Sequence, residues 1–200
     1  MEKNKAYKAF DPEKVERGED GLWKVGDGDV RTLYDGRYCA VSGFFFAIVE
    51  GKYSVLANLR GSGTPDYQDC WCCPCGFLER GEDAKGGIIR ETKEECMIDI
   101  PRDKIREVHT ETDPEICNNG NVTIRHTGFL GKQNQVFLDT PLDEWDAGLG
   151  GEKNEVADIR WIPVDDIGKY RWAFNHLQTI RQYAPPLWLR KIIEICSGLF

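Results

Sequence analysis

Residues 76–98 have the sequence GFLERGEDAKGGIIRETKEECMI, and this stretch carries the most specific pattern in the 200-residue chain. Acids and one arginine follow a glycine in one particular order: Gly76, Glu82, Arg90, Glu91, Glu94 and Glu95. Carboxylates packed this closely repel one another, and oxygen-rich clusters in proteins usually hold hard divalent cations. The pattern therefore predicts a metal site.

The same stretch predicts a helix. Asp83 follows the turn-forming pair Arg80-Gly81 and is a suitable N-cap for a helix from Ala84 to Met97. The positions expected to form its buried stripe are spaced by three and four: Ile88, Ile89, Thr92 and Cys96. Glu91, Glu94 and Glu95 have the same spacing, and we expect them on the opposite face.

Arg90 stands next to Glu91 and four residues before Glu94, where its guanidinium can neutralise part of the cluster and orient a carboxylate. Mg²⁺ commonly binds a few carboxylates together with substrate phosphates. The helix is thus interpreted as a metal site that faces a phosphate. The alternative is an ordinary solvated helix surface, which does not require acids at these spacings.

The stretch resembles the Nudix box, G-x5-E-x7-R-E-U-x-E-E-x-G-U, where U is aliphatic. The matching residues are Gly76, Glu82, Arg90, Glu91, Glu94, Glu95 and Ile98. Thr92 and Met97 depart from the box, Met97 by replacing the last glycine. A left-handed conformation would cost Met97 about 1–2 kcal/mol, so we expect the loop after the helix to differ.

The resemblance implies an α+β fold, a Nudix-type α/β/α sandwich with a mixed β-sheet. It also implies hydrolysis of a diphosphate linkage, with Mg²⁺ or Mn²⁺ as the cofactor. The expected ligands are Glu91 and Glu95, assisted by Glu94, the backbone carbonyl of Cys75 and, through water or by bracing the loop, Glu82. Arg90 is expected to orient Glu91.

The expected substrate is a small nucleoside diphosphate linked to another group, ADP-ribose-like or related. The resemblance implies that the general base is either a glutamate of the box, such as Glu91 or Glu94, or an acid from a distant loop. Glu152 and Glu155 are the distant candidates, because each lies at the end of a long Gly- and acid-rich loop before a predicted strand. Two alternatives remain open: a nucleotide-sensing Nudix-like module without activity, and a pyrophosphohydrolase acting on RNA 5′ ends.

Composition limits the partners. The net charge of −8 and the pI of about 5.0 give no broad positive field, so we expect no DNA partner and disfavour RNA. Local bases must then contact the phosphates, and Arg60 and Arg80 are candidates. The polar N-terminus and the absence of a long apolar run predict a cytoplasmic protein without a membrane span.

Four of the eight cysteines are crowded at Cys70, Cys72, Cys73 and Cys75. In a reducing compartment we expect small buried thiols, with Cys70 and Cys72 on one face of a strand and the other two on the opposite face. A zinc knuckle is the alternative, but its second ligand pair is missing from the sequence. Trp71 is a candidate for stacking on a nucleobase, with core packing as the alternative.

We expect an N-terminal extension, residues 1–38, packed on a main domain of residues 39–200. Residues 39–49 and 53–60 predict a hairpin around Glu50-Gly51-Lys52, and further strands are predicted at 104–112, 121–130, 134–139 and 156–162. Helices are predicted at about 172–183 and 187–197. The apolar positions of the last helix either pack on the domain or form a homodimer interface.

Overall fold

The computed structural model describes residues 37–79, 81–116, 121–136 and 154–198, together with the backbone of three short strands that precede them. These are β1 (Val15–Arg17), β2 (Trp23–Val25) and β3 (Asp29–Val30), which pair in that order. The chain divides into two compact units, Met1–Gly36 and Arg37–Phe200. That residues 1–38 pack on the main domain stays a prediction.

The larger unit is built on a mixed sheet. Its described strands are β4 (Cys39–Val49), β5 (Lys52–Arg60), β6 (Trp71–Cys72), β7 (Cys75–Phe77), β8 (Arg106–Glu111), β9 (Val122–Gln133) and β10 (Val156–Pro163). Their order is β10-β5-β4-β9-β8, with β6 beside β5 and β7 beside β4. Strands β4 and β9 run parallel and the other described pairs antiparallel.

Within the described ranges, three helices cover this sheet, α1 (Ala84–Cys96), α2 (His176–Tyr183) and α3 (Leu187–Gly198). Odd-numbered residues of β4, such as Phe45, pack with Ile88 of α1. Even-numbered ones, such as Phe44, pack on the other face with Ile180 of α2. Because both faces are covered, β4 is an almost continuous apolar run. The expected α+β sandwich is confirmed.

The predicted hairpin turn between β4 and β5 is present. Val49 pairs with Lys52, so the turn contains only Glu50 and Gly51, with φ of 50° and 73°. Positive φ at both central residues gives a two-residue turn whose twist matches that of the flanking strands.

The helix predicted from residue 172 begins later, at His176. The preceding segment is tied to β6 instead, because the Trp71 N–H donates to the Arg171 carbonyl and the Ala173 N–H donates to the Trp71 carbonyl. Phe174 then has φ of 53°, which a helix does not allow.

The strand predicted at 134–139 also differs from the structure, since residues 134–136 form no strand. There the side chain of Gln135 bonds the backbone N–H and C=O of Trp161 in β10. The rest of that predicted strand lies outside the described residues.

The last helix presents an open apolar side. Leu187, Trp188, Ile192 and Ile195 are exposed. Ile193 instead packs on the core, and the Glu194 carboxylate accepts a hydrogen bond from the backbone N–H of Tyr53. In the part of the chain that the structure describes, no helix has the length and apolar character needed to cross a membrane.

Candidate metal and diphosphate site

The first glycine of the predicted metal motif makes room for a carboxylate. A Cβ atom on Gly76 would lie only 2.3 Å from both Cδ and Oε1 of Glu91. Only glycine therefore lets β7 run this close to α1 with Glu91 between them. The helix begins as predicted, with the Asp83 carboxylate accepting a hydrogen bond of 2.8 Å from the Gly86 N–H.

Arg90 links the loop before α1 to the acids on the helix. Its guanidinium donates to both oxygens of Glu82, at 2.9 and 3.2 Å, and to the Phe77 carbonyl at 2.9 Å. It also lies 2.8 Å from Glu91 Oε1 and 2.9 Å from Glu94 Oε2. Glu82 accepts a further hydrogen bond from the Glu79 N–H. These contacts favour a bracing role for Glu82 over direct contact with a metal.

Two of the helix acids point into the protein rather than away from it. Glu91 and Glu95 lie on the buried face of α1 beside Ile88, Thr92 and Cys96. The expectation that all three acids lie opposite the buried stripe was therefore wrong. The stripe at positions 88, 92 and 96 is extended by 91 and 95, because i, i+3 and i+4 positions share one face. Glu94 stands at the edge of the site, paired with Arg90.

Asn58 is a site residue that the motif did not reveal. It is buried in β5, and its Nδ2 donates a hydrogen bond of 2.9 Å to Glu95 Oε2. The same carboxylate oxygen accepts from the Cys75 N–H at 3.0 Å. The signal in the sequence was an asparagine inside an otherwise apolar strand, since asparagine is depleted in strands and a buried amide requires partners.

The acids at the site destabilise one another's charge. Burial raises the pKa of Glu91 to about 7, although Arg90 opposes this. Burial, and then the neighbouring Cys75, Glu91 and Glu155, raise the pKa of Glu95 well above its ordinary range. The fold thus brings Glu155, from the start of β10, close enough for its charge to act on both helix acids. Glu152 lies outside the described residues.

This arrangement fits a cation that shares its coordination with substrate. Two buried carboxylates with a third acid nearby form an acidic site in need of positive charge. Within the described ranges, however, no three His, Cys, Asp or Glu side chains converge on one point as metal ligands. Mg²⁺ and Mn²⁺ suit such a site, because Mg²⁺ uses few carboxylates and completes its octahedron with phosphate and water.

Of the residues predicted to contact substrate, Trp71 and Arg60 are buried in the structure. Trp71 is only 7% exposed and packs in the core, which favours packing over base stacking. Arg60 is buried, and it binds the Asp66 carboxylate at 2.7 Å while lying 5.1 Å from the ring centroid of Phe174. Arg80 lies outside the described residues.

The cysteine-rich stretch is not a continuous strand, because Pro74 separates β6 from β7. Cys70, Cys72 and Cys73 are buried, as predicted for small apolar thiols. The expected alternation of faces was wrong for Cys75, whose free thiol lies within hydrogen-bonding reach of the free thiol of Cys72 across the break. The Cys72 thiol also donates to Asn58 Oδ1 at 2.9 Å, so this pair lies directly behind Glu95.

The family model described as NUDIX domain matches residues 42–183, which is most of the chain and contains the whole site. The chain belongs to the Nudix family. It is 22% identical over 151 residues to Nudix hydrolase 2 of Arabidopsis thaliana, an alignment that covers 76% of this chain and 45% of that protein. The chain therefore spans about half the length of this curated relative.

Solved Nudix structures share the fold. The NUDIX domain of Shewanella oneidensis NrtR, in complex with ADP ribose, has a TM-score of 0.59 and 22% identity, covering 74% of this chain and 87% of that one. A bifunctional NMN adenylyltransferase/ADP ribose pyrophosphatase from Francisella tularensis, complexed with AMP and a manganese ion, has a TM-score of 0.50 and 23% identity, covering 74% and 41%.

The expectation that DNA is excluded is not supported by these neighbours. Shewanella oneidensis NrtR has also been crystallised with a 27mer DNA, and that structure matches with a TM-score of 0.53 and 20% identity, covering 72% of this chain and 59% of that one. Net charge disfavours a broad DNA-binding surface on this chain, but it does not decide the question for one local patch.

Proposed function

We propose that this chain hydrolyses a diphosphate linkage in a nucleoside diphosphate linked to another group, with Mg²⁺ or Mn²⁺ as cofactor. The observation that carries the proposal is the burial of Glu91 and Glu95 on one face of α1, with Glu155 brought close to both. Such a cluster of buried acids destabilises the fold, and a bound cation that also binds a polyphosphate would offset the repulsion between them. The ADP ribose and AMP complexes of the structural neighbours support this substrate class.

The metal would be held by Glu91 and Glu95, with the Cys75 carbonyl completing the set and Glu94 at its edge. A bound divalent cation supplies charge neutralisation at the diphosphate and lowers the pKa of a bound water. Arg90 fixes the direction of Glu91 through its Nη1, and Asn58 and the Cys75 N–H fix Glu95.

Glu155 is the general base in this proposal. Its carboxylate takes the proton from the water that attacks phosphorus. The products are a nucleoside monophosphate and the phosphorylated second group. General-base catalysis contributes about 10²–10⁴ in rate, so Glu155→Gln is expected to lose that much of kcat.

A panel of nucleotide diphosphates tests the proposal. Wild-type protein is incubated with each compound and Mg²⁺ or Mn²⁺, and phosphate is measured after a coupled phosphatase. We expect turnover of at least one compound, and its loss in Glu91→Gln and Glu95→Gln. The exposed acid Glu115 provides Glu115→Gln as a matched control that retains the wild-type rate.

A nucleotide-sensing module without hydrolysis is the second candidate. The observation in its favour is that the described acids do not form a ready-made metal cluster. Saturable nucleotide binding without turnover, under both metals, would establish this candidate and overturn the hydrolase. Release of pyrophosphate or a cap nucleotide from RNA, with strong dependence on salt, would establish the RNA alternative.

A further inference from the structure

Two aromatic rings stand uncovered on the sheet close to the candidate site. Tyr38 is 73% exposed and Phe77 is 55% exposed, and their ring centroids lie 5.6 Å apart. Large aromatic side chains are normally buried or partly covered, and two of them in contact form a continuous apolar surface. Most exposed large apolar residues of the described chain are single side chains or belong to α3.

The strand register places this pair on the sheet face opposite α1, because Gly76, between Cys75 and Phe77, is the residue of β7 that faces Glu91. The pair is linked to the metal site through the backbone of β7 instead. Phe77 pairs with Ala40 and Cys75 with Ser42, and alternate residues of a strand share a face. Phe77 therefore lies on the same face as Cys75, about 7 Å along the strand. Strand β7 also bonds the site at both of these residues, through the Cys75 N–H to Glu95 and through the Phe77 carbonyl to Arg90.

The neighbouring positions on that face are small or polar. Thr123 pairs with Ala40, and Arg125 pairs with Ser42, so short side chains lie beside the rings and a cation lies one step closer to the site. Arg125 is buried along its whole side chain and lies 3.5 Å from the Glu111 carboxylate. A flat group can therefore lie against the rings, with the short side chains of Ala40 and Thr123 beside it.

We propose that Tyr38 and Phe77 form the stacking platform for the nucleobase of the substrate. The inference rests on the proposed function, because it assigns the base to the same ligand whose diphosphate lies at Glu91 and Glu95. A nucleobase has the right chemistry, since each of the four bases has a π face that stacks on aromatic side chains. The platform is also near the acids, because the Phe77 carbonyl lies 2.9 Å from the Arg90 guanidinium, which pairs with Glu91 at 2.8 Å.

Base stacking and phosphate binding are separated by comparing ligands with and without a base. Isothermal titration with Mg²⁺ measures the affinity of the full chain for the four nucleoside 5′-monophosphates and for ribose 5-phosphate. We expect wild-type protein to bind at least one monophosphate more tightly than ribose 5-phosphate. Tyr38→Ala and Phe77→Ala should each weaken the binding of that monophosphate about five-fold or more and leave the affinity for ribose 5-phosphate unchanged.

Conservative variants and a distant aromatic serve as controls. Tyr38→Phe and Phe77→Tyr retain a ring and should restore binding, whereas Phe77→Leu retains apolar area and should not. Trp188→Ala removes an exposed ring from α3 and should change neither ligand. Thermal unfolding of each variant identifies loss of affinity that arises from misfolding. Where an alanine variant is destabilised, binding by Tyr38→Phe or Phe77→Tyr decides whether the ring is required.

The outcomes distinguish this inference from the proposed function. Equal binding of monophosphates and ribose 5-phosphate, or a base preference that survives both alanine substitutions, overturns the platform and leaves hydrolysis untouched. Failure of all five ligands to bind also overturns the platform, because no base is then recognised, whereas the diphosphate site is overturned only by absence of turnover in the panel of nucleotide diphosphates.

Discussion

Met97 shows how one residue departs from the family pattern without changing the helix end. It caps α1 with φ of 58° and ψ of 23°, and its N–H bonds the Lys93 carbonyl. The left-handed turn that the family glycine permits is therefore present with a methionine. The expectation of a different exit loop was wrong, because the capping hydrogen bond holds a conformation that a side chain disfavours.

We predict that Met97→Gly stabilises the protein by about 0.5–1 kcal/mol. Relief of the left-handed strain, about 1–2 kcal/mol, is partly offset by the greater freedom of glycine in the unfolded chain. Urea unfolding measures the difference. Lys93→Gly, at an exposed position in the last turn of the same helix, is the control and should cost up to about 1 kcal/mol. A loss of stability in Met97→Gly would mean that the methionine side chain makes a contact outweighing its strain.

His176 is a second residue whose environment has a measurable consequence. It is buried, and its Nδ1 accepts a hydrogen bond of 3.0 Å from the Cys73 N–H. Burial, together with the charges of Arg125 and Arg60, lowers the pKa of His176 from 6.5 to about 3. The folded protein therefore holds this imidazole neutral over most of the acid range.

The sign of the resulting pH dependence follows from proton uptake. The unfolded chain binds a proton at this position below pH 6.5 and the folded chain does not, so stability falls as pH decreases from 6.5 towards 3. We predict that wild-type protein loses about 1.4 kcal/mol per pH unit there relative to His176→Asn, which retains an acceptor. Taking this difference cancels the opposite contribution of Glu91 and Glu95. The prediction is contradicted if the difference in unfolding free energy between wild type and His176→Asn is the same at about pH 7 and pH 5. His109→Asn controls for the loss of a surface histidine.

At the scale of elements, the loop between β5 and β6 holds the start of β10 in place. The Gly61 N–H donates to the Glu155 carbonyl at 2.7 Å, and the Gly63 N–H donates to the Asn154 carbonyl at 2.8 Å. Arg60 and Asp66 tie the loop to its own base through a pair at 2.7 Å. Glu155 is thus positioned by a loop distant in sequence, which gives the buried Arg60 a structural role.

We predict that Gly61→Ala lowers kcat about 10- to 100-fold with a smaller change in KM. A Cβ at this position would lie 2.2 Å from the Asn154 carbonyl oxygen, so the start of β10 must move and carry Glu155 with it. Steady-state kinetics on the substrate found by the panel give the measurement. Gly168→Ala, where the nearest atom would be 3.8 Å away, is the matched control. An unchanged kcat in Gly61→Ala would mean either that Glu155 is not the general base or that the loop accommodates the added methyl group without moving Glu155.

At the scale of the whole molecule, stability and metal binding are linked. The chain carries a net charge of −8, and the acids buried at α1 add local repulsion to it. A ligand that binds only the folded state raises the free energy of unfolding by about 2.7 kcal/mol at one hundred times its Kd. The homodimer through the exposed side of α3 stays a prediction that sedimentation can test.

We predict that Mg²⁺ or Mn²⁺ raises the melting temperature of the wild-type protein and not that of Glu95→Gln. Without metal, Glu95→Gln should be at least as stable as wild type at about pH 7, because the amide oxygen retains the bonds from Asn58 and Cys75 while the cost of burying an ionisable carboxyl group is removed. Differential scanning fluorimetry with and without EDTA measures both effects, and Ca²⁺ tests the preference for a small cation. A metal-dependent shift that persists in Glu95→Gln would place the cation elsewhere.

The sequence determined the helix, its Asp83 cap and the identity of the acids, because these depend on spacings within a few turns of chain. It also determined the hairpin at Glu50-Gly51 and the central apolar strand. It misplaced the direction of Glu91 and Glu95, because which helical face is buried depends on what packs against it.

Only the tertiary structure decided the partners of those acids. Asn58 of strand β5 bonds Glu95 of helix α1, and Glu155 is held by its backbone bond to Gly61. These contacts join residues tens of positions apart. The exposed pair Tyr38 and Phe77 likewise meets across two strands that pair only in the folded sheet. Local spacing cannot encode such contacts, since strand order and register are fixed by burial of the whole sheet between its helices.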